Sequence, residues 1–170
     1  MKITAQEEYG LRCMMALAGE EGQRALTIPE IAEREGLSPA YVAKLMRLLR
    51  RRGLVASARG RSGGYALARP GVEISVGEAL AALGDPLFSS MYCGKFHGDQ
   101  TSCVHLDGCS IRSIWGHLDN LIVQVLRSTS LTALVGGEPE LNQKLRARWS
   151  FPLEAPVESA GVAAAPLQGG

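Results

Sequence analysis

A mainly α chain with a single two-stranded β-hairpin is what the sequence predicts, and three observations carry that expectation. Three S/T-x-x-E patterns, Thr4–Glu7, Thr27–Glu30 and Ser75–Glu78, precede apolar runs; each supplies reciprocal partners for the orphan N–H groups of a helix start. One glycine-rich turn, "GRSGG", stands between two short runs of strand character. Ile111, Ile114, Trp115, Leu118, Leu121, Ile122, Val125 and Leu126 recur three and four residues apart, the period of one face of a long helix.

The Thr4 box opens a helix through about Leu17, ended by Gly19 and Gly22. The Thr27 box opens "IPEIAERE", which stops at Gly36. Ser38 then caps a third helix with Pro39 at its first position, where the missing N–H costs nothing. Val42, Leu45, Met46 and Leu49 form its apolar stripe, and Gly53 ends it. Two helices joined by the tight "GLS" turn make a helix-turn-helix. "LVASAR" alternates as a strand and "YALAR" returns after the glycine turn, so the hairpin is a wing. The Ser75 box opens the short helix "SVGEALAALG". The segment from Tyr92 to Cys109 reads as a loop, and the long helix runs from Ser110 to about Ser128, roughly 28 Å. A weaker helix, "PELNQKLRARW", follows Gly136, and the tail from Phe151 has the Pro, Ala and Gly content of a disordered segment. The expected division is a winged helix-turn-helix domain over 1–72, a cysteine loop and dimerisation helix over 73–148, and a disordered tail over 149–170.

Charge supports the wing. Lys44, Arg47, Arg50, Arg51, Arg52, Arg59, Arg61 and Arg69 fall between Tyr41 and Arg69 with no acidic residue among them. A net charge of +1 for the whole chain conceals this concentration. A charge run by itself is most often a solvated helix face. Here it coincides with the third helix and the hairpin, the two elements a winged helix lays on DNA. The long apolar stripe exceeds what a small winged helix covers, so a second copy of the same helix is the expected partner, giving a symmetric homodimer. Packing on the first helix is the intrachain alternative.

Composition narrows the classes. Hydrophobic residues at 46% are enough for a core, and no apolar run is long enough to span a bilayer. The opening "MKITAQEEYG" lacks the apolar region of a signal peptide, so a cytoplasmic location is expected. In such a reducing compartment cysteines serve metal or redox chemistry more often than a disulfide framework. An enzyme reading would make "GRSGG" a phosphate loop, yet no helix follows it directly and no GK[ST] is present. No nucleophile–base set stands out either.

Three of the four cysteines, Cys93, Cys103 and Cys109, are spaced C-x₉-C-x₅-C in "YCGKFHGDQTSCVHLDGC". Without a C-x₂-C pair a zinc finger is disfavoured. An iron–sulfur cluster and a thiol switch both remain open on spacing alone. His97, His105, Asp99 and Asp107 lie close by as further ligand candidates. Cys13 falls within the first helix and reads as a small core residue. Glu8, left over from the first capping box, reads on its own as a carboxylate favoured by the helix dipole.

"IPEIAEREGLSPAYVAKLMRLLRRR" followed by "GLVASARGRSGGYALAR", with "MKIT…YGLR" before and "CSIRSIWGHLDNLIVQVLRSTSLTAL" after, resembles the iron–sulfur winged-helix regulators that include IscR, NsrR and RirA. The likeness covers about Met1 to Leu134. It implies a homodimeric transcription factor, usually a repressor, that binds (pseudo)palindromic promoter DNA. By position it assigns Cys93, Cys103 and Cys109 as cluster ligands, although the first gap exceeds the usual one of about five residues. IscR-like members complete a [2Fe–2S] site with a histidine three residues after the last cysteine, where this chain has Arg112. NsrR-like members complete a [4Fe–4S] site with a carboxylate near the N-terminus of the other subunit, where this chain has Glu8. The resemblance therefore implies Glu8 as the fourth ligand and [4Fe–4S] ahead of [2Fe–2S], with nitric oxide, redox state, oxygen or iron status as the signal. On the DNA side it implies base contacts near Ser38, Ala40, Tyr41 and Lys44. Arg59 would enter the minor groove, Ser62, Gly63 and Gly64 would let the turn approach the backbone, and Arg47, Arg50, Arg51 and Arg61 would meet phosphates or water. The rival readings are a cluster-free thiol-redox or zinc-dependent winged-helix regulator, a winged helix used for protein contacts alone, and, remotely, an enzyme.

Overall fold

The computed structural model describes residues 3–20, 24–58, 63–84, 97, 99, 101–105 and 108–149. The expected disordered tail and most of the cysteine segment, Cys93 included, lie outside the described residues, as do Arg59, Arg61 and Ser62 at the hairpin tip. The chain divides into two compact units, Met1–Gly137 and Glu138–Gly170.

In the first unit, α1 (Ala5–Ala18), α2 (Ile28–Glu35) and α3 (Pro39–Arg51) precede the strands β1 (Val55–Ala58) and β2 (Gly64–Leu67). A 3₁₀ turn (Gly71–Glu73) leads to α4 (Val76–Leu83), and α5 (Ser110–Ser128) and α6 (Leu131–Val135) close the unit. All three predicted capping boxes form, at Thr4, Thr27 and Ser75. In the second box, hydrogen bonds from the Thr27 N–H and hydroxyl, helped by Arg24, hold the Glu30 carboxyl down at about 2. Between α2 and α3 the chain turns at Gly36 with φ of 64°, a left-handed conformation that a Cβ would strain. Ser38 then caps α3 by accepting the Tyr41 N–H at 3.3 Å. The helix-turn-helix is thus formed by backbone chemistry written in four consecutive residues.

The core gathers on α3. Val42, Leu45, Met46 and Leu49 are fully buried, together with Cys13, Met14, Leu26, Ile31, Ile74 and Leu131. α1 packs across α2, α3, α4 and α6. β1 and β2 pair antiparallel with Val55 opposite Leu67 and Ser57 opposite Tyr65. The expected inside–outside alternation along "LVASAR" does not appear: Leu54 and Val55 are both buried, and Ala56, Ser57 and Ala58 are all exposed. Only the first residue of the strand, Val55, is buried, and the strand is exposed from Ala56 to Ala58, so period-two burial has little to act on. The base of the hairpin is held by a third backbone partner, because Leu26 and Tyr65 exchange N–H···O bonds of 2.8 and 2.7 Å.

α5 returns to the winged unit at its C-terminal end. The Val76 N–H donates to the Thr129 carbonyl at 2.8 Å and the Leu131 N–H to the Ile74 carbonyl at 2.9 Å. Its principal intrachain neighbour is α4 rather than α1. Its N-terminal two-thirds leaves Ile111, Ile114, Trp115, Leu118 and Leu121 exposed. The short α6 and the 3₁₀ turn were not expected. In the second unit, α7 (Glu138–Arg148) matches the predicted final helix and carries an i,i+4 ion pair, Glu140 with Lys144, at 2.6 Å. No helix among the described residues is long and apolar enough to cross a membrane.

Candidate nucleic-acid interface and cysteine site

The outer face of α3 repeats basic residues at helical spacing. Lys44, Arg47 and Arg51 follow one another three and four residues apart, with Arg50 beside them, so their side chains share one face. With Tyr65 of β2 they line a surface cleft of about 610 Å³. The ion pairs of this unit form elsewhere, at Arg12–Glu35, Arg24–Glu20, Arg24–Glu30, Arg34–Glu20 and Arg69–Glu78. Among the described residues no carboxylate pairs with Lys44, Arg47, Arg50 or Arg51. Four cations kept together without counter-charges repel one another, and that repulsion is relieved by a polyanion.

Ser38 and Ala40 are exposed and Tyr41 half-buried at the start of the same helix, where an α-helix entering the major groove presents its side chains to base edges. The Ser38 hydroxyl oxygen is engaged in capping, which leaves its proton as a donor. The Lys44 ammonium lies 5.9 Å from the centre of the Tyr41 ring. Gly63 and Gly64 lead into β2, and Gly64 lies against the Leu26 backbone so closely that a Cβ would collide with the Leu26 carbonyl. Gly64 is therefore required for docking the hairpin base on the body, a demand separate from any approach to DNA. Tyr65 was not singled out from sequence. The signal was present in its position directly after the glycine turn, but only the shared cleft shows that it stands beside the cations of α3.

Cys109 is the N-cap of α5, and its sulfur accepts the Arg112 N–H at 3.4 Å. Cysteine binds iron as the thiolate. Cys103 is half-buried, and both thiols are free. These two donors fit an iron–sulfur cluster in chemical type. Glu8 is exposed in the first turn of α1. His97, Asp99 and His105 are exposed, while Asp107 lies outside the described residues. Among the described residues no three His, Cys, Asp or Glu side chains stand together as a metal site, so Glu8 is not brought onto Cys103 and Cys109 within one chain. Cys13 is fully enclosed, and burial, aided by the charge of Glu35, pushes its thiol up to about 11. That fits its reading as a core residue.

The model of the family described as "Rrf2: Iron-dependent Transcriptional regulator" matches residues 3–137. Protein rrf2 of Nitratidesulfovibrio vulgaris is 31% identical over 135 residues, spanning 79% of this chain and 87% of that protein. Among solved structures, the IscR of T. potens superimposes with a TM-score of 0.64 at 32% identity, covering 82% of this chain and 90% of that one. The CymR of B. subtilis, described as its global cysteine regulator, gives a TM-score of 0.66 at 29% identity over 80% of this chain and 97% of that one. These likenesses bear out the mainly α winged-helix expectation and the resemblance on which it converged, and they set the chain among regulators rather than enzymes. The chain belongs to the Rrf2 family of transcriptional regulators.

Proposed function

We propose that this chain is a homodimeric repressor that holds double-stranded promoter DNA between α3 and the hairpin and releases it when an iron–sulfur cluster is lost or modified. The observation that carries the DNA reading is the cleft of Lys44, Arg47, Arg50, Arg51 and Tyr65, whose four cations have no acidic partner among the described residues. In this reading Ser38, Ala40, Tyr41 and Lys44 face base edges. Arg47, Arg61, Ser62, Gly63 and Gly64 follow the backbone, and Arg59 reaches into the minor groove. Residues 1–72 form the DNA-binding domain, and 73–148 carry the cysteine segment and the dimer helix. The exposed apolar face of α5 supports the homodimer, whose two-fold symmetry matches a (pseudo)palindromic site. A cytoplasmic location fits this reading.

Cys93, Cys103, Cys109 and Glu8 are the proposed ligands, supported by the two free thiols and by the N-cap position of Cys109. A cluster bound there would supply an iron open to oxygen or nitric oxide, and the likeness of Glu8 to the carboxylate of NsrR-like members favours [4Fe–4S] over [2Fe–2S]. Because Glu8 belongs to α1, which packs on α3, a ligand bond made by it biases the arrangement of the DNA-binding helix. Native mass spectrometry of anaerobically purified protein tests this by counting iron and sulfide per dimer. Glu8→Ala should weaken cluster retention and blunt the response of DNA affinity to nitric oxide or oxygen. Unchanged spectra and response would remove Glu8 from the site. A second reading, a cluster-free thiol regulator, is favoured by the likeness to CymR. Colourless protein without iron or sulfide, binding promoter DNA in a thiol-dependent way, would establish it.

A further inference from the structure

Four side chains form a continuous line from α1 to the DNA-facing end of α3. Arg12 of α1 donates from Nε to the Glu35 carboxylate at 2.9 Å and from a terminal nitrogen to the Glu35 carbonyl at 2.9 Å. Glu35 is the last residue of α2, so Arg12 fixes the point at which the chain turns toward α3. The Arg12 guanidinium carbon lies 5.6 Å from the centre of the Tyr9 ring. Tyr9 meets Tyr41 of α3 edge to face, with centroids 6.1 Å apart and planes at 83°. Lys44 closes the line at 5.9 Å from the Tyr41 ring. Cation–aromatic and edge-to-face contacts are attractive at these separations because the ring face is negative and its edge positive.

Tyr41 occupies the third position of α3, where its backbone is fixed by the Ser38 cap and its half-buried ring packs at the edge of the core. On an isolated helix such a ring samples several rotamers. The edge contact with Tyr9 restricts that choice, and the ring lies beneath the Lys44 ammonium.

We propose that Tyr9 is a positioning residue for DNA sequence reading: from α1, itself off the cleft-lining set, it holds Tyr41 and Lys44 in the one arrangement that meets base edges. The proposal rests on the DNA reading given above. It separates two kinds of contact. Arg47, Arg50 and Arg51 attract phosphates through charge, which tolerates small displacements. Base-edge contacts require correct donor and acceptor geometry. Loss of Tyr9 therefore lowers discrimination between sequences while non-specific affinity stays the same.

The test uses the full-length protein, a duplex recovered by selection from a random-sequence pool with the unsubstituted chain, and a scrambled duplex of equal length. Tyr9→Leu should lower affinity for the selected duplex about three- to tenfold, the range of a lost aromatic pair. Affinity for the scrambled duplex and the dependence on salt should not change. Tyr9→Phe, which keeps the ring, should restore discrimination. Tyr41→Leu, which also removes that residue's own base contact, should give an equal or larger loss, and the double variant Tyr9→Leu/Tyr41→Leu no loss beyond that of Tyr41→Leu, because Tyr9 acts through that ring. Equal losses on both duplexes, or additive losses, would overturn the proposal by showing that Tyr9 acts only on stability. If Tyr9→Leu does not fold, Arg12→Gln decides: reduced discrimination supports the line of contacts, and unchanged discrimination overturns it. A wild-type chain that enriches no sequence overturns the DNA reading and this proposal together. Enrichment with equal discrimination by folded Tyr9→Leu overturns this proposal alone.

Discussion

Cys13 and Cys109 show how position decides the chemistry of one residue type. Cys13 is sealed in the core between α1 and its neighbours, and its thiol is pushed up to about 11 by burial first and Glu35 second. At pH 8 only about one Cys13 in a thousand is thiolate, and no reagent reaches it without unfolding. Cys109 sits on a helix N-terminus with its sulfur accepting a backbone N–H. Iodoacetamide at pH 8 should therefore label Cys109 in the metal-free protein well before Cys13, with peptide mass mapping as the readout. Equal labelling of the two in native protein would contradict the burial. The raised value also sets a pH dependence. The folded state keeps the Cys13 proton over the interval from 9.0 to about 11 in which the unfolded chain loses it. Stability from this group is thus complete below pH 9 and declines as pH rises toward 11, which urea unfolding at pH 8 and pH 10.5 would register and Cys13→Ala would remove. Cys13 was legible from sequence because a cysteine on the apolar face of a capped helix has one ordinary fate. Glu8 and Cys103 were not legible in that way, since an exposed carboxylate and a half-buried thiol acquire a role only from what approaches them.

Among the elements, the helices were readable to within a residue or two wherever the cap was written in the sequence. Thr4, Thr27, Ser38 and Ser75 each accept the predicted N–H, and a cap is a local interaction that needs nothing from the rest of the chain. α6 was missed for the converse reason. Its five residues are too few to show a period, and it is held in place by the Ser75–Ser130 backbone bridge, a contact between distant segments. The hairpin lies between these cases: its two strands were legible, and they pair as expected, while its docking through Leu26 was not. Gly64→Ala tests that docking. The added Cβ would meet the Leu26 carbonyl, a backbone group that cannot swing aside, and overpacking of this kind costs about 1–3 kcal/mol. The hairpin base should separate from residues 26 and 27 while α1 to α3 keep their own caps and core. The expected result is an unchanged helical circular-dichroism signal, faster exchange of the Leu26 and Tyr65 amides, and weaker DNA binding. Unaltered protection of those two amides would show that the close approach is relaxed in solution.

At the scale of the whole molecule, the unbalanced feature is α5. Anchored at Thr129 and Leu131 on the winged unit, it extends an apolar face on which Ile111 is 64%, Ile114 60% and Leu118 39% exposed. The proposed homodimer covers this face with its own copy, and the same symmetry sets two α3 helices against successive turns of one side of the duplex. Dimerisation and DNA affinity are then linked, because one chain alone reaches only a half-site. Leu118→Glu places a carboxylate where the partner helix packs. Burying that charge unpaired costs at least about 3 kcal/mol, more than a hundredfold in the dimer Kd. Leu118 makes no contribution to the buried core of its own chain, so each monomer should still fold. Sedimentation at micromolar concentration should show the unsubstituted chain as a dimer and Leu118→Glu as a monomer with the same thermal stability per chain. On a palindromic duplex the variant should lose most of its affinity, and the slope of log K against log salt should fall by about half, since half the phosphate contacts remain. A variant that stays dimeric would place the symmetric contact elsewhere, and a monomer with the full salt slope would show that one chain already makes every phosphate contact.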